Sequence, residues 1–257
     1  MYTLKDYLSE ALVKHKISYY RNDDNVVDFG LSVKWLKYNL AGDKLTEDES
    51  DYGYYYQWGS TVGYPDASKH EFTWETTPYC NGSHSSFSKY VVNRGSGTVD
   101  NKDVLDSEDD AVTALFGSEY RMPTIEEFQE LCEHCTGSSD HHNIPTENLF
   151  GATSVSENGI YWVAAGATVD GVKYKNAGLL CVGQDIFKRI FFPAAGYGYE
   201  SSLKRICICG HYWTSSLELK YSSSNAAYRF FFMKNDTKSD SSDARYYGCN
   251  IRGIKVK

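Results

Sequence analysis

The last fifth of the chain constrains the fold most. His211-Tyr212-Trp213-Thr214-Ser215-Ser216 forms a tryptophan-anchored strand, and from Lys220 to Tyr247 apolar residues alternate with Tyr, Ser, Asn, Asp, Lys and Arg. The chain then closes on Gly248-Cys249-Asn250-Ile251-Arg252-Gly253-Ile254-Lys255-Val256. Alternation with a period of two residues puts successive side chains on opposite faces of a strand. Such a stretch requires a sheet with one face packed and the other turned outward. Tyrosine supplies large amphipathic contact area at low entropic cost, while Ser, Asn and Asp supply adaptable hydrogen bonds, as in antibody-like paratopes. No other stretch holds a complete catalytic constellation. The residues therefore point to a non-enzymatic binding protein with no cofactor and no bound metal.

Composition agrees with a folded, aromatic-rich chain. Of 257 residues, 41% are hydrophobic, enough for a sizeable core, and 22 are tyrosine. Tyr and Trp prefer half-buried positions with the polar edge wet, which suits loop-rich cores and interfaces. The net charge of −8 argues against a nucleic-acid partner for the chain as a whole. The tail differs, because eight basic residues stand against four acidic ones from His211 onward. That bias favours acidic partners, or it is solvated charge on a loop-rich face.

Seven cysteines with no repeating spacing do not form a secreted disulfide framework and read as small buried hydrophobes. Cys132-Glu133-His134-Cys135, with His141 and His142 downstream, resembles half of a zinc site, but a second cysteine pair is missing. Cys132 and Cys135 also fall on the apolar face of a helix. The acidic cluster Asp106, Glu108, Asp109 and Asp110 reads either as a calcium site or as favourable charge in the first turn of a helix.

Along the chain, residues 1–25 read as a short amphipathic helix, Leu4 to His15, followed by a polar linker. Leu4, Leu8, Ala11 and Leu12 share its apolar face. A helix this short is marginal alone and must dock on something, including a second copy of the chain. The opening residues lack the basic and apolar regions of a secretory signal, and no apolar run reaches membrane-spanning length. The expectation is cytoplasmic synthesis and a virion-associated place, or the cell surface if a leader has been removed, without membrane insertion.

Residues 26–257 read as the ligand-binding domain. Two helices interrupt its β texture. The first is capped at Ser107, carries Ala111, Val112, Ala114, Leu115 and Phe116, and ends at Gly117. The second starts at Thr124 with Glu127 completing a capping box, buries Ile125, Phe128, Leu131, Cys132 and Cys135, and ends at Gly137. Short strands surround them, and residues 64–103 read as long loops. The fold class expected is α+β, with two main helices, short antiparallel strands and long loops.

Ordered motifs carry a resemblance. Val27-Asp28-Phe29-Gly30-Leu31-Ser32-Val33-Lys34-Trp35, Asp51 through Gly59, Asp106 through Ala111, Tyr120-Arg121-Met122-Pro123-Thr124, Phe192 through Tyr197, Tyr212 through Ser216 and Ile251-Arg252 resemble the Fibrobacter-succinogenes-type major paralogous domain of gut Bacteroidetes and their phages. That family is similar in layout to the formylglycine-generating-enzyme subtype of the C-type lectin fold. It is also similar to the variable proteins of diversity-generating retroelements, which randomise surface positions near the C-terminus. Gly253 stands where the family shows proline, and residues 164–188 look like an insertion.

The resemblance implies a C-type lectin scaffold with a variable face near residues 212–250. Ala227, Phe230 and Phe232 match inward positions, so Arg229, Phe231, Met233 and Lys234 point outward. Glu218, Lys220, Tyr221, Ser222, Asn225, Asp240, Ser242, Asp243, Arg245, Tyr246 and Tyr247 complete the candidate surface. The implied function is receptor binding, with a protein or glycan on a host or neighbouring cell as ligand. A bacterial adhesin or glycan-binding protein is the alternative. A purely structural virion protein would follow if the Phe231 face were buried. A formylglycine-generating enzyme would need reactive cysteines, for which Cys207, Cys209 and Cys249 are the candidates, and their spacing does not match.

Overall fold

The computed structural model describes residues 25–137, 159–185, 187–220 and 224–257. The Leu4–His15 helix, His141, His142, Tyr221 and Ser222 lie outside the described residues.

The two ends of the described chain meet. Strand β2 (Lys34–Ala41) pairs antiparallel with the last strand, β15 (Arg252–Lys255), placing Trp35 opposite Ile254 and Asn39 opposite Arg252. β1 (Val26–Val27), β3 (Lys44–Leu45) and β4 (Tyr120–Arg121) complete this five-stranded sheet. Arg252 fastens the junction. Its guanidinium is fully buried, stacks over Phe192 and donates to Asn39 Oδ1 at 2.9 Å and to the Leu36, Lys37 and Phe191 carbonyls. A buried charge is tolerated only when its donors are satisfied in this way. Burial still pushes its pKa down to about 10.

Two three-stranded sheets follow. One is β5 (Gly159–Val163), β8 (Gly178–Val182) and β9 (Arg189–Pro193); the other is β12 (Cys209–Leu217), β13 (Ala226–Met233) and β14 (Asp236–Ala244). The hairpins β6–β7 (Thr168–Val169, Val172–Lys173) and β10–β11 (Tyr197–Tyr199, Ser202–Lys204) stand apart. Residues 164–188 contain β8, the central strand of its sheet, with Leu179, Leu180 and Cys181 fully buried, while the β6–β7 hairpin ahead of it carries exposed positions.

The expected α+β class, a C-type lectin fold with two main helices, is corrected to a β-rich fold: among the described residues strands make up 39% and helices only about 10%. α1 (Ala111–Phe116) has six residues, capped by Asp110 rather than Ser107. Asp110 Oδ1 accepts from Val112 N and Thr113 N, while Ser107 through Asp109 lie ahead of the helix. Among the described residues, only α2 (Ile125–Thr136) exceeds two turns. Thr124 and Glu127 close its capping box, and Gly137 ends it at φ 70°, the left-handed conformation that glycine adopts without a Cβ clash. Arg121 clamps Glu127 with both terminal nitrogens, at 2.8 and 2.5 Å.

α2 lays its apolar face on the sheets. The Phe128 ring packs 4.8 Å from Trp35 and 4.7 Å from Phe230. Burying such a ring contributes roughly 1.5–3 kcal/mol. Trp213 and Trp58 are both fully buried and tie the 53–59 stretch to β12. The Trp213 indole donates to the Tyr56 carbonyl at 2.8 Å, and the Trp58 indole donates to the Thr214 carbonyl at 2.9 Å. No helix among the described residues is long and apolar enough to cross a membrane.

Candidate functional site

The site arises from a register slip in the C-terminal sheet. Arg229 opposes Ser241, but Phe231 opposes Lys238, so β14 carries one extra residue between them. A bulge of this kind re-aims side chains. On β13 the buried positions run Ala227, Arg229, then Phe230, Phe232, with Phe231 and Met233 half-buried. Arg229 and Phe231 therefore lie together, the guanidinium 4.8 Å over the Phe231 ring.

These two residues line a pocket of about 320 Å³. Tyr197 enters from β10, Arg205 from the turn after β11, and His211 from β12. Lys238, Ser241 and Asp243 come from β14, and Tyr247 from the segment beyond it. Asp243 Oδ2 lies 2.5 Å from Arg229 Nε and 3.4 Å from His211 Nδ1. Neither approach is aligned as a hydrogen bond. Arg229 Nε and Nη1, His211 Nδ1 and Asp243 Oδ2 thus hold buried polar atoms with no hydrogen-bond partner. Burial is the main force on His211 and, with Arg229 adding to it, lowers its pKa to about 4 against the opposing pull of Asp243. The imidazole is neutral at neutral pH.

Cys209 Sγ sits 3.4 Å from His211 Nε2, so Cys209, His211 and Asp243 follow one another in the order of a nucleophile, base and orienting acid. The environment opposes that chemistry. Cys209 has no exposed surface, and burial raises its thiol pKa, so the thiolate is disfavoured. A histidine held near 4 is a weak base at pH 7. Cys249 is likewise buried with its pKa pushed well up by burial, and the exposed Cys207 shares a hydrogen bond with the Tyr52 hydroxyl at 2.8 Å.

Of the residues expected on the face, Arg229, Phe231, Asp243 and Tyr247 line the pocket. Arg229 is only 8% exposed, a correction to its placement as a freely outward side chain, and Tyr246 and Tyr247 are half-buried rather than fully on the surface. Lys220 pairs with Asp240 at 2.9 Å on exposed surface outside the pocket. Met233, Asn225 and Ser242 are half-buried, and Ser242 pairs across the sheet with Tyr228.

Two assignments are overturned. Arg245 is fully buried, between the rings of Phe87 at 4.0 Å and Trp58 at 4.8 Å, and donates to the Ser224 and Tyr90 carbonyls. Burial lowers its pKa to about 9. Glu218 is 1% exposed, and its carboxylate accepts from the Lys220 backbone. In both cases the irregular backbone nearby supplies partners that strand alternation cannot anticipate.

Tyr197, Arg205, His211, Lys238 and Ser241 were missing from the sequence-derived face. The tight Ala194-Ala195-Gly196 turn carries Tyr197 toward the C-terminal sheet, and His211 opens the tryptophan strand. Both signals are visible, but only the fold joins them. Aromatic rings continue outward from the pocket: Tyr247 contacts Tyr246 at 4.6 Å and Tyr199 at 5.5 Å, and Tyr246 contacts Trp74 at 4.7 Å.

The acidic cluster is occupied by a lysine. Lys89 Nζ lies 2.7 Å from Asp106, 3.0 Å from Glu108 and 2.6 Å from Asp109, the three carboxylates close enough together to suggest a metal site. Burial works against this ammonium ion, but hydrogen bonds to the three acids outweigh it and raise the Lys89 pKa. Cys132 and Cys135 are buried in the core beneath α2, as the apolar reading of that helix face requires. All seven cysteines are free thiols. No protein-family model matches the chain, and neither the curated proteins nor the solved structures hold a match.

Proposed function

We propose that this chain is a non-enzymatic ligand-binding protein that recognises its partner through the pocket face of the β12–β13–β14 sheet. The observation that carries this reading is the convergence of Arg229, Phe231, Asp243 and Tyr247 on one pocket. The motif resemblance implies all four as members of the variable face. At about 320 Å³ the pocket is near the lower end of the roughly 300–1,000 Å³ typical of small-ligand sites. It admits one ring or one side chain, flanked by aromatic surface suited to a larger partner.

The motif resemblance supports a receptor-binding role, with a protein or glycan on a host or neighbouring cell as partner. The adaptable positions around the pocket would then set specificity, and the N-terminal segment would serve attachment or self-association. The test is a binding screen of the full chain against glycan arrays and host-cell surfaces, with a Phe231→Ala/Tyr247→Ala double variant in parallel. Binding that the double variant loses supports the reading. Binding that survives unchanged overturns it.

A further inference from the structure

Charge in the pocket is unbalanced. Arg205, Arg229 and Lys238 face a single lining carboxylate, Asp243. Asp243 is engaged by Arg229 and His211. Lys238 has only a long contact to Asp236, 3.5 Å away and outside the lining. Arg205 is exposed, and among the described residues no carboxylate lies within ion-pair distance of it. Its backbone is nonetheless fixed: at φ 57° its carbonyl accepts from Ile208 N and Cys209 N.

Arg229 supplies an independent sign of a missing ligand. Its side chain is 10% exposed, yet Nη1 has no hydrogen-bond partner although the residue lines the cavity. A buried guanidinium donor left unmade costs free energy, and an incoming anion would recover it.

The walls select the shape. Tyr197, Phe231 and Tyr247 present three aromatic rings, with the Ser241 hydroxyl beside them. A half-polar ring such as a pyranose places its C–H face on such rings and its hydroxyls on the polar groups between them. The chain carries −8 overall, which disfavours a long polyanion and leaves recognition of one charged group at a locally basic spot. From Tyr247 the rings of Tyr246, Tyr199 and Trp74 extend the aromatic surface for a neighbouring unit.

We propose that the pocket takes the acidic sugar of a cell-surface glycan, its carboxylate held by Arg205, Arg229 and Lys238 and its ring packed on Tyr197, Phe231 and Tyr247. This rests on the binding-protein reading and names the ligand class. Arg205 and Lys238 are exposed, so removing them leaves the core intact.

The test titrates the full chain with a uronic-acid-terminated oligosaccharide, its carboxyl-reduced counterpart, an aspartate-terminated peptide and inorganic sulfate. The uronate form should bind about tenfold tighter than the reduced form, the scale of one charge-assisted hydrogen bond. Arg205→Ala/Lys238→Ala should remove that difference. Equal binding of both sugars, unchanged in this variant but lost in Phe231→Ala, would overturn the acidic-sugar inference and leave the binding face standing. Sulfate or the peptide binding as tightly as the uronate would also overturn it, by showing that the ring contributes nothing. No binding of any probe would overturn it too, and the broader reading would then stand or fall on the array and cell-surface screen.

Discussion

Arg229 Nε lies 2.5 Å from Asp243 Oδ2, although the strand register sets Arg229 opposite Ser241 and Asp243 opposite Ala227. The contact is diagonal across regular register, and the same carboxylate oxygen lies 3.4 Å from His211 Nδ1. Removing Asp243 would leave a buried guanidinium without a counter-charge. Breaking buried pairs commonly costs about 3–5 kcal/mol. Asp243 is a fifth exposed, so Asp243→Ala is expected to cost about 2–3 kcal/mol in urea denaturation. A double-mutant cycle with Arg229→Met should return a coupling of about 1–3 kcal/mol. Additivity within about 0.3 kcal/mol would show that the pair does not interact.

His211 makes stability depend on pH. Its folded pKa is about 4 against an ordinary 6.5, so between those values the unfolded chain binds more protons than the folded one. The stabilisation is present in full above pH 6.5 and is lost as pH falls toward 4. Asp243, Arg229, Arg205, Cys209 and Tyr197 are the ionisable groups around it; Asp243 pulls its pKa up, Arg229 and Arg205 push it down, and burial outweighs them all. The difference corresponds to roughly 3 kcal/mol. Denaturation curves at stepped pH should show this slope in the native chain and a flatter one in His211→Gln. Equal slopes would refute the assignment.

Lys89 stands in for a metal ion. Lys89→Ala should destabilise the chain by about 2 kcal/mol or more by removing the ammonium shared by Asp106, Glu108 and Asp109, of which only Asp106 keeps a second lysine, Lys102. Millimolar calcium should restore part of the loss in the variant. In the native chain, neither chelator nor calcium should move the melting temperature or the ligand affinity. A calcium-dependent rise in the native protein's melting temperature would show that Lys89 does not fill the cluster.

Trp213 and Tyr246 separate core from face. Trp213 has no exposed surface and an engaged indole N–H, so Trp213→Ala should cost about 3–5 kcal/mol. Tyr246 is half-buried against Trp74, so its loss should cost about 1–2 kcal/mol, an aromatic pair's worth beyond a plain surface change. Equal losses in chemical denaturation would contradict this placement.

The sequence was most informative where one local rule dominated. Thr124 with Glu127 and Gly137 marked α2, because capping and the left-handed stop depend only on neighbours. Ser107 misled because its acidic neighbours serve Lys89, a partner about twenty residues upstream, rather than a helix dipole. The same limit applies to the face. Phe231 and Tyr247 were legible as part of the face that lines the pocket, but Arg245 was not legible as core, because its partners are carbonyls of Tyr90 and Ser224 and the rings of Trp58 and Phe87. His211 and Tyr197 joined the site only when a bulge and a hairpin brought them together. The α+β expectation with two main helices failed because α1 is under two turns long, which leaves α2 as the one longer helix among the described residues against a majority of strands.

The most direct test of the account is to compare affinities for the partner found by screening, between variants in the pocket and variants outside it. Phe231→Ala and Tyr247→Ala should each weaken binding by more than about 1 kcal/mol, roughly fivefold or more in Kd, as central aromatic anchors do. Lys220→Ala, at the exposed Asp240 pair outside the pocket, should leave Kd unchanged within about twofold. The reverse pattern, with full affinity after both aromatic truncations and loss at Lys220, would contradict the claim that this pocket is the binding site.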